Sequence, residues 1–187
     1  MSVRGEASAL QRLAELLREQ GGLMATLLAA DGLDGRTSRG QGPAQMAAAG
    51  PRARRAPEEY ELLVETIYEG YLLHYGSPRV LDPPEADLGL LAGDRLYALG
   101  LAKLVALGDT EAVAELADTI TLSALAQAAG EPALAVAIWE AGARAVGWGS
   151  DPAHRRAKEL AFAGATEAIE AMRTSAVGDV EGLPASP

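Results

Sequence analysis

Glycine and proline fall in this chain at intervals that cut it into segments of helical length. Pro57, Gly76-Ser77-Pro78, Pro83-Pro84, Gly108-Asp109, Gly130-Glu131-Pro132 and Asp151-Pro152 each pair a helix-stopping residue with a helix-starting one. Between them run segments made largely of Ala and Leu, which total 39 and 27 residues, against only 13 Val and Ile together. Ala and Leu lose little side-chain freedom in a helix, whereas β-branched residues favour strands. The expected fold class is therefore all-α: an antiparallel helical bundle of five helices joined by short turns. The spacing does not repeat with one fixed length, which argues against a solenoid.

The first of these helices starts at Pro57, with Glu58 and Glu59 complementing the helix dipole, and it stops at Gly76. Its carboxylates Glu58, Glu61, Glu65 and Glu69 fall on one stripe and read as a solvated face. Tyr60, Val64, Ile67, Tyr68, Tyr71 and Tyr75 lie on the other side, widened by Leu62, Leu63, Leu72 and Leu73. The second opens at Pro83-Pro84-Glu85 and reaches Gly108; the third is capped by Asp109 and stopped by Gly130. The fourth follows Glu131-Pro132, and the fifth runs unbroken from Asp151-Pro152 to Met172.

Outside this region the pattern changes. Residues 1–30 hold an N-terminal amphipathic helix with Leu10, Leu13, Leu16 and Leu17 at helical spacing, interrupted at Gly21-Gly22. Residues 31–56 are rich in Gly, Pro and Arg without apolar periodicity, and read as a flexible linker. The helical domain is expected over 57–174, and 175–187 as a disordered tail.

Composition narrows the chemistry. With no cysteine, thiol chemistry and Cys-based metal sites are excluded. The net charge is −10, and residues 57–187 alone carry 8 basic against 21 acidic side chains, which argues against nucleic-acid binding. No apolar run is long enough for a transmembrane segment and the N-terminus has no apolar signal stretch, so a cytoplasmic location is expected. Neither His74 nor His154 has the Glu three residues earlier that a di-iron bundle uses. Asp151 precedes His154 at that spacing, but in a single copy at a helix start. His74, on an apolar face, reads as a packed core histidine. There is no phosphate-binding loop and no nucleophile elbow. Asp94, between apolar turns and after Gly93, reads as part of a helix-packing motif in which Gly93 allows close approach and Asp94 pairs with a neighbour.

Three stretches, LLAGDRLYALGLAKLVALGD (90–109), EAVAELADTITLSALAQAAGE (111–131) and ALAVAIWEAGARAVGWGSD (133–151), carry a resemblance. In their order and spacing they resemble the middle of the trans-isoprenyl diphosphate synthases, with Leu91-Ala92-Gly93-Asp94 similar to that family's Leu-x-Gly-Asp helix. The resemblance implies an isoprenoid-synthase-like bundle, here truncated. That family holds magnesium-bound diphosphate on two Asp-rich motifs, because bridging metals need several carboxylates on one helix face. This sequence has no Asp-Asp dipeptide; IYEGYLLH (67–74) stands where the first motif belongs, and KELAFAGATEAIEAM (158–172) where the second does. The chain is thus most similar to the non-catalytic small subunit of heterodimeric heptaprenyl and hexaprenyl diphosphate synthases. No catalytic or metal-ligating residue is assigned, no cofactor is implied, and the implied partner is the catalytic large subunit. Homo-oligomerisation stays open. Ile67, Tyr68, Tyr71, Leu72 and Tyr75 are the residues expected to meet the partner and wall the prenyl-chain groove, limiting product length by bulk. The competing readings are a helical interaction or scaffold module unrelated to prenyl chemistry, and an enzyme using Glu69, His74 or Asp94.

Overall fold

The computed structural model describes residues 8–30 and 42–178. Within them lie nine α-helices: α1 (Ala9–Gln20), α2 (Gly22–Thr26), α3 (Pro43–Ala49), α4 (Pro57–Tyr75), α5 (Ala86–Ala106), α6 (Thr110–Ala128), α7 (Pro132–Trp148), α8 (Pro152–Phe162) and α9 (Ala168–Val177). A short 3-10 turn, Pro51–Ala53, follows α3. No named strand occurs among the described residues, and the one β-type contact is an isolated bridge between Leu28 and Leu81. The fold is an all-α helical bundle.

The punctuation works as the sequence suggests for α4 to α7. Gly108 and Gly130 adopt φ of +78° and +76°, a left-handed conformation that only glycine takes up without strain. The Asp109 carboxylate caps α6 by accepting from the Ala112 N–H at 3.0 Å. Only Ala129–Glu131 separate α6 from α7, so these two packed helices must run back along each other.

Three expectations change. The fifth helix is two: the chain turns at Gly164 (φ +63°) between α8 and α9, which lets α9 fold back against α7. The segment read as a flexible linker contains, over residues 42–56, α3 and the 3-10 turn, and Ala44, Ala47 and Ala53 are fully buried. Apart from Met46, which packs against the main core, its apolar side chains are small, so no large-residue periodicity marks it. Smallness is what allows it to dock: a Cβ on Gly147 would lie 2.6 Å from the Ala47 carbonyl oxygen, and one on Gly50 would overlap the Gly147 backbone. Residues 31–41 of that segment lie outside the described residues. Helix α9 also runs through 175–177, into the stretch read as tail, whose residues 179–187 lie outside them as well.

Two apolar clusters hold the molecule. The larger centres on Trp139, Ile138, Leu63, Ile67, Leu116 and Met172, and joins α3, α4, α6, α7 and α9. The smaller brings Leu10, Leu13 and Leu17 of α1 together with Leu27, Leu81, Ala92 and Leu96. The N-terminal helix is thus packed on α4 and α5, and the capping box between Ser8 and Gln11 fixes its start.

Candidate functional site

Helices α4 and α5 approach closely because glycines face each other at the crossing. A Cβ on Gly70 would meet the Gly93 carbonyl oxygen at 2.9 Å, and one on Gly93 would meet the His74 ring at 2.6 Å. This contact places Asp94 beside His74, with Oδ1 3.2 Å from Nε2. The His74 ring lies on Tyr97 with centroids 5.4 Å apart and planes 3° from parallel. His74 is half-buried, whereas the Asp94 side chain is 70% exposed.

The candidate groove residues separate by depth along α4. Ile67 is fully buried and Tyr71 is 5% exposed, so both belong to the main core. Tyr68 and Leu72 are half-buried against it, and Tyr75 is 44% exposed. Tyr68, Tyr71 and Tyr75 form a continuous aromatic row, with neighbouring centroids 5.8 and 5.5 Å apart. Trp139 of α7 backs it, 4.9 Å from Tyr68 edge-on and 5.3 Å from Tyr71. The Gln127 amide donates to the Tyr71 hydroxyl at 2.7 Å, and the Arg79 guanidinium lies over the Tyr68 ring. Burial pushes the Tyr68 and Tyr97 hydroxyls above the ordinary tyrosine range.

The glutamate stripe is not a solvated face. Glu58 is exposed and Glu61 half-exposed, but Glu65 and Glu69 are buried, because the α4–α5 loop folds over them. Glu69 Oε1 accepts from the backbone N–H groups of Arg79 and Val80, both at 2.7 Å, and the Arg79 side chain pairs with both carboxylates. Burial raises the Glu65 pKa above the carboxylate range, more than Arg79 lowers it.

A second buried network ties α6, α8 and α9. His154 Nε2 lies 2.6 Å from Glu115 Oε1, and Nδ1 lies 2.7 Å from the Ser175 hydroxyl. Lys158 reaches Glu115 at 2.9 Å and Asp118 at 2.7 Å. Burial raises the Glu115 pKa, but His154 and Lys158 outweigh it and hold the carboxyl below its usual range. Ser175, His154 and Glu115 are each under 10% exposed, so the serine is arranged as a buried hydrogen-bonding partner. Asp151 at the same helix start caps the His154 N–H rather than facing its ring. Nothing in the sequence marked this network: its members are 39 and 21 residues apart, and Ser175 fell in the stretch read as tail.

A third group joins the 3-10 turn to α6. Arg52 bonds Asp109 at 2.8 Å and Glu111 at 2.6 Å, and the Tyr60 hydroxyl donates to Asp109 at 2.6 Å. Burial, reinforced by Asp109, raises the Tyr60 pKa to about 12. A cleft of about 310 Å³ lies beside Arg52, Glu111, Glu115 and Lys158, which are in ion pairs within the fold, and Arg155, which also lines it, donates to the Ser150 carbonyl. Among the described residues no three His, Asp or Glu side chains gather as a metal ion would require. In each network a cation or backbone donor holds the carboxylates, which suits them to fixing helices together.

Comparison with protein-family models, with curated proteins and with solved structures finds no match. No described helix is long and apolar enough to cross a membrane.

Proposed function

We propose that the chain is a non-catalytic helical subunit with an isoprenoid-synthase-like bundle, working in the cytoplasm by docking against the catalytic large subunit of a polyprenyl diphosphate synthase. The observation that carries this reading is the aromatic row on α4. Tyr68, Tyr71 and Tyr75 form a row with Tyr71 buried between half-buried Tyr68 and exposed Tyr75 and with Trp139 behind Tyr68 and Tyr71, a rigid apolar wall of the kind an isoprenoid chain packs against. Ile67 and Tyr71 act as its backing, while Tyr68, Leu72 and Tyr75 form the part able to meet a partner or a prenyl chain. The Leu91–Asp94 motif adds support, since Gly93 and Asp94 position α5 on His74 directly beside this row.

Mixing the chain with a synthase subunit bearing both Asp-rich motifs tests the reading. Added activity or a changed product length is expected, with Tyr75→Ala shifting products toward longer chains. No effect on activity or product length with any such synthase of the same genome would refute it. The isolated chain with magnesium, an allylic diphosphate and isopentenyl diphosphate should give no product, and turnover would overturn the non-catalytic reading.

A second reading, a helical interaction module unrelated to prenyl chemistry, draws on a different observation. Helix α5 is apolar on both sides, yet only one side is covered. Co-purification with an Asp-rich synthase, or its absence, separates the two readings.

A further inference from the structure

Helix α1 lies on the bundle as an amphipathic helix lies in a binding groove. Leu10, Leu13 and Leu17 are buried at three- and four-residue spacing, while Gln11, Glu15, Arg18 and Glu19 face outward. The face that receives them consists of Leu62 and Leu73 of α4, Val80 and Leu81 of the loop after it, and Ala92 and Leu96 of α5. None of these side chains belongs to the larger cluster, so the N-terminal helices fill a groove with a core of its own. Peripheral units packed in this way open without unfolding the main core. The rim of the groove is polar: Arg12 pairs with Glu61 and lies 3.5 Å from Glu58. The side chains of Arg12 and Glu61 are 20% and 22% exposed, which places the pair at the edge of the contact. At the other end the Ala29 N–H donates to the Val80 carbonyl at 3.0 Å, and the Asp82 N–H to the Leu27 carbonyl at 2.8 Å. Each of these contacts joins residues 8–30 to the rest of the chain, so the same segment of a second molecule reproduces all of them. Without α1 the groove is an apolar strip beside two carboxylates. The occupant it selects is an amphipathic helix with a cation next to its leucine seam, which α1 of any copy supplies. Eleven residues, 31–41, separate this unit from Gly42, and a chain of that length spans up to about 40 Å, enough to lay α1 on a neighbouring molecule.

We infer that the groove on α4 and α5 is an exchangeable helix-docking site whose second occupant is α1 of another copy of this chain, giving a two-fold dimer in which each copy lays its α1 on the other. The inference does not depend on prenyl chemistry. Docking within one copy is favoured by the covalent connection, which presents α1 to its own groove at an effective concentration on the order of millimolar.

Charge reversal across the rim tests this with full-length chains, each checked for folding by circular dichroism. Arg12→Glu and Glu61→Arg each set like charges across the rim, both within one copy and between identical copies. Mixing the two variants restores opposite charges only if the helices are exchanged. The Arg12→Glu helix then meets the Glu61→Arg groove, and the unaltered helix meets the unaltered groove. Each restored pair should contribute about tenfold, so the mixture should dimerise about a hundredfold more tightly than either variant alone. With the covalent connection holding each variant alone to a midpoint on the order of millimolar, sedimentation equilibrium should show a 1:1 dimer of the mixture at about 10 μM. Adding Leu13→Asp to both chains removes the apolar seam but keeps the charges, and should abolish that dimer. A mixture that stays monomeric up to about 100 μM would overturn the inference. So would a mixture that dimerises no more tightly than either variant alone, or one indifferent to Leu13→Asp. A mixed dimer that forms while the wild-type chain binds no synthase leaves this inference standing and refutes the prenyl reading; a monomeric mixture with a wild-type chain that binds a synthase does the reverse.

Discussion

Removing the Glu69 carboxylate should loosen the join between the N-terminal helices and the rest of the bundle. Glu69 is fully buried and accepts from the N–H groups of Arg79 and Val80 at 2.7 Å each, while Oε2 lies 3.4 Å from Arg79 Nε. Glu69→Ala leaves two backbone donors in the loop without their acceptor, at about 1–3 kcal/mol for each buried unsatisfied group. It also leaves Arg79 with Glu65 alone, and breaking a buried pair from one side costs about 3–5 kcal/mol. The two effects overlap, so about 3–5 kcal/mol is expected in total. That is a large fraction of the roughly 5–15 kcal/mol by which a domain is stable. Glu69→Gln keeps an oxygen for the loop and loses only the charge, so about 1–2 kcal/mol is expected. Glu65 supplies the contrast. Its pKa is raised, so the stability it contributes is fully present below its unfolded pKa and is lost as pH rises through the folded one. Burial already disfavours its charge and Gln keeps an oxygen for Arg79, so Glu65→Gln should cost no more than Glu69→Gln. Urea denaturation with an unchanged m-value reads all three. The loop residues Val80 and Asp82 bond Ala29 and Leu27 at 3.0 and 2.8 Å, so hydrogen exchange of the Ala29 and Asp82 amides should quicken in Glu69→Ala before global unfolding. A cost below about 1 kcal/mol for Glu69→Ala, or a larger cost for Glu65→Gln than for Glu69→Gln, would refute the reasoning.

The remaining predictions concern acid and packing. Glu115 and Asp109 are held below the ordinary carboxylate range, so the stability they contribute is present above their unfolded pKa values, about 4, and is lost as pH falls through the folded ones. Glu115→Gln should therefore flatten the fall in stability below about pH 4, read as denaturant midpoint against pH; an unchanged acid limb would refute the role of the carboxylate. Gly50→Ala drives a methyl group into the Gly147 backbone, where no side chain can rotate away, and should cost about 2–4 kcal/mol by thermal or urea unfolding. A cost near zero would mean that the 3-10 turn is not docked on α7.

How much of this was legible in the sequence depended on whether the signal was local. The limits of α4 to α7 follow from residues that act on their own neighbours: Asp109 capping α6, Gly108 and Gly130 in left-handed turns, and Pro132 opening α7. The Gly93–Asp94 pair was readable for the same reason, because a glycine before a lone carboxylate in an apolar helix implies a close neighbour. Two features of the fold have no local signal. Segment 42–56 reads as linker because its fully buried side chains, Ala44, Ala47 and Ala53, are small and pack by letting backbones approach. The Glu65 and Glu69 stripe looked solvated because helical periodicity places residues on a face but does not say what covers that face. Here the cover is the α4–α5 loop, whose Arg79 lies ten residues beyond Glu69 and gives no periodic signal. The same blindness applies to α5, but in reverse. Its low amphipathicity predicts burial on both sides, the fold buries one, and the excess of apolar residues on the other is the part of the sequence that the single chain leaves unexplained.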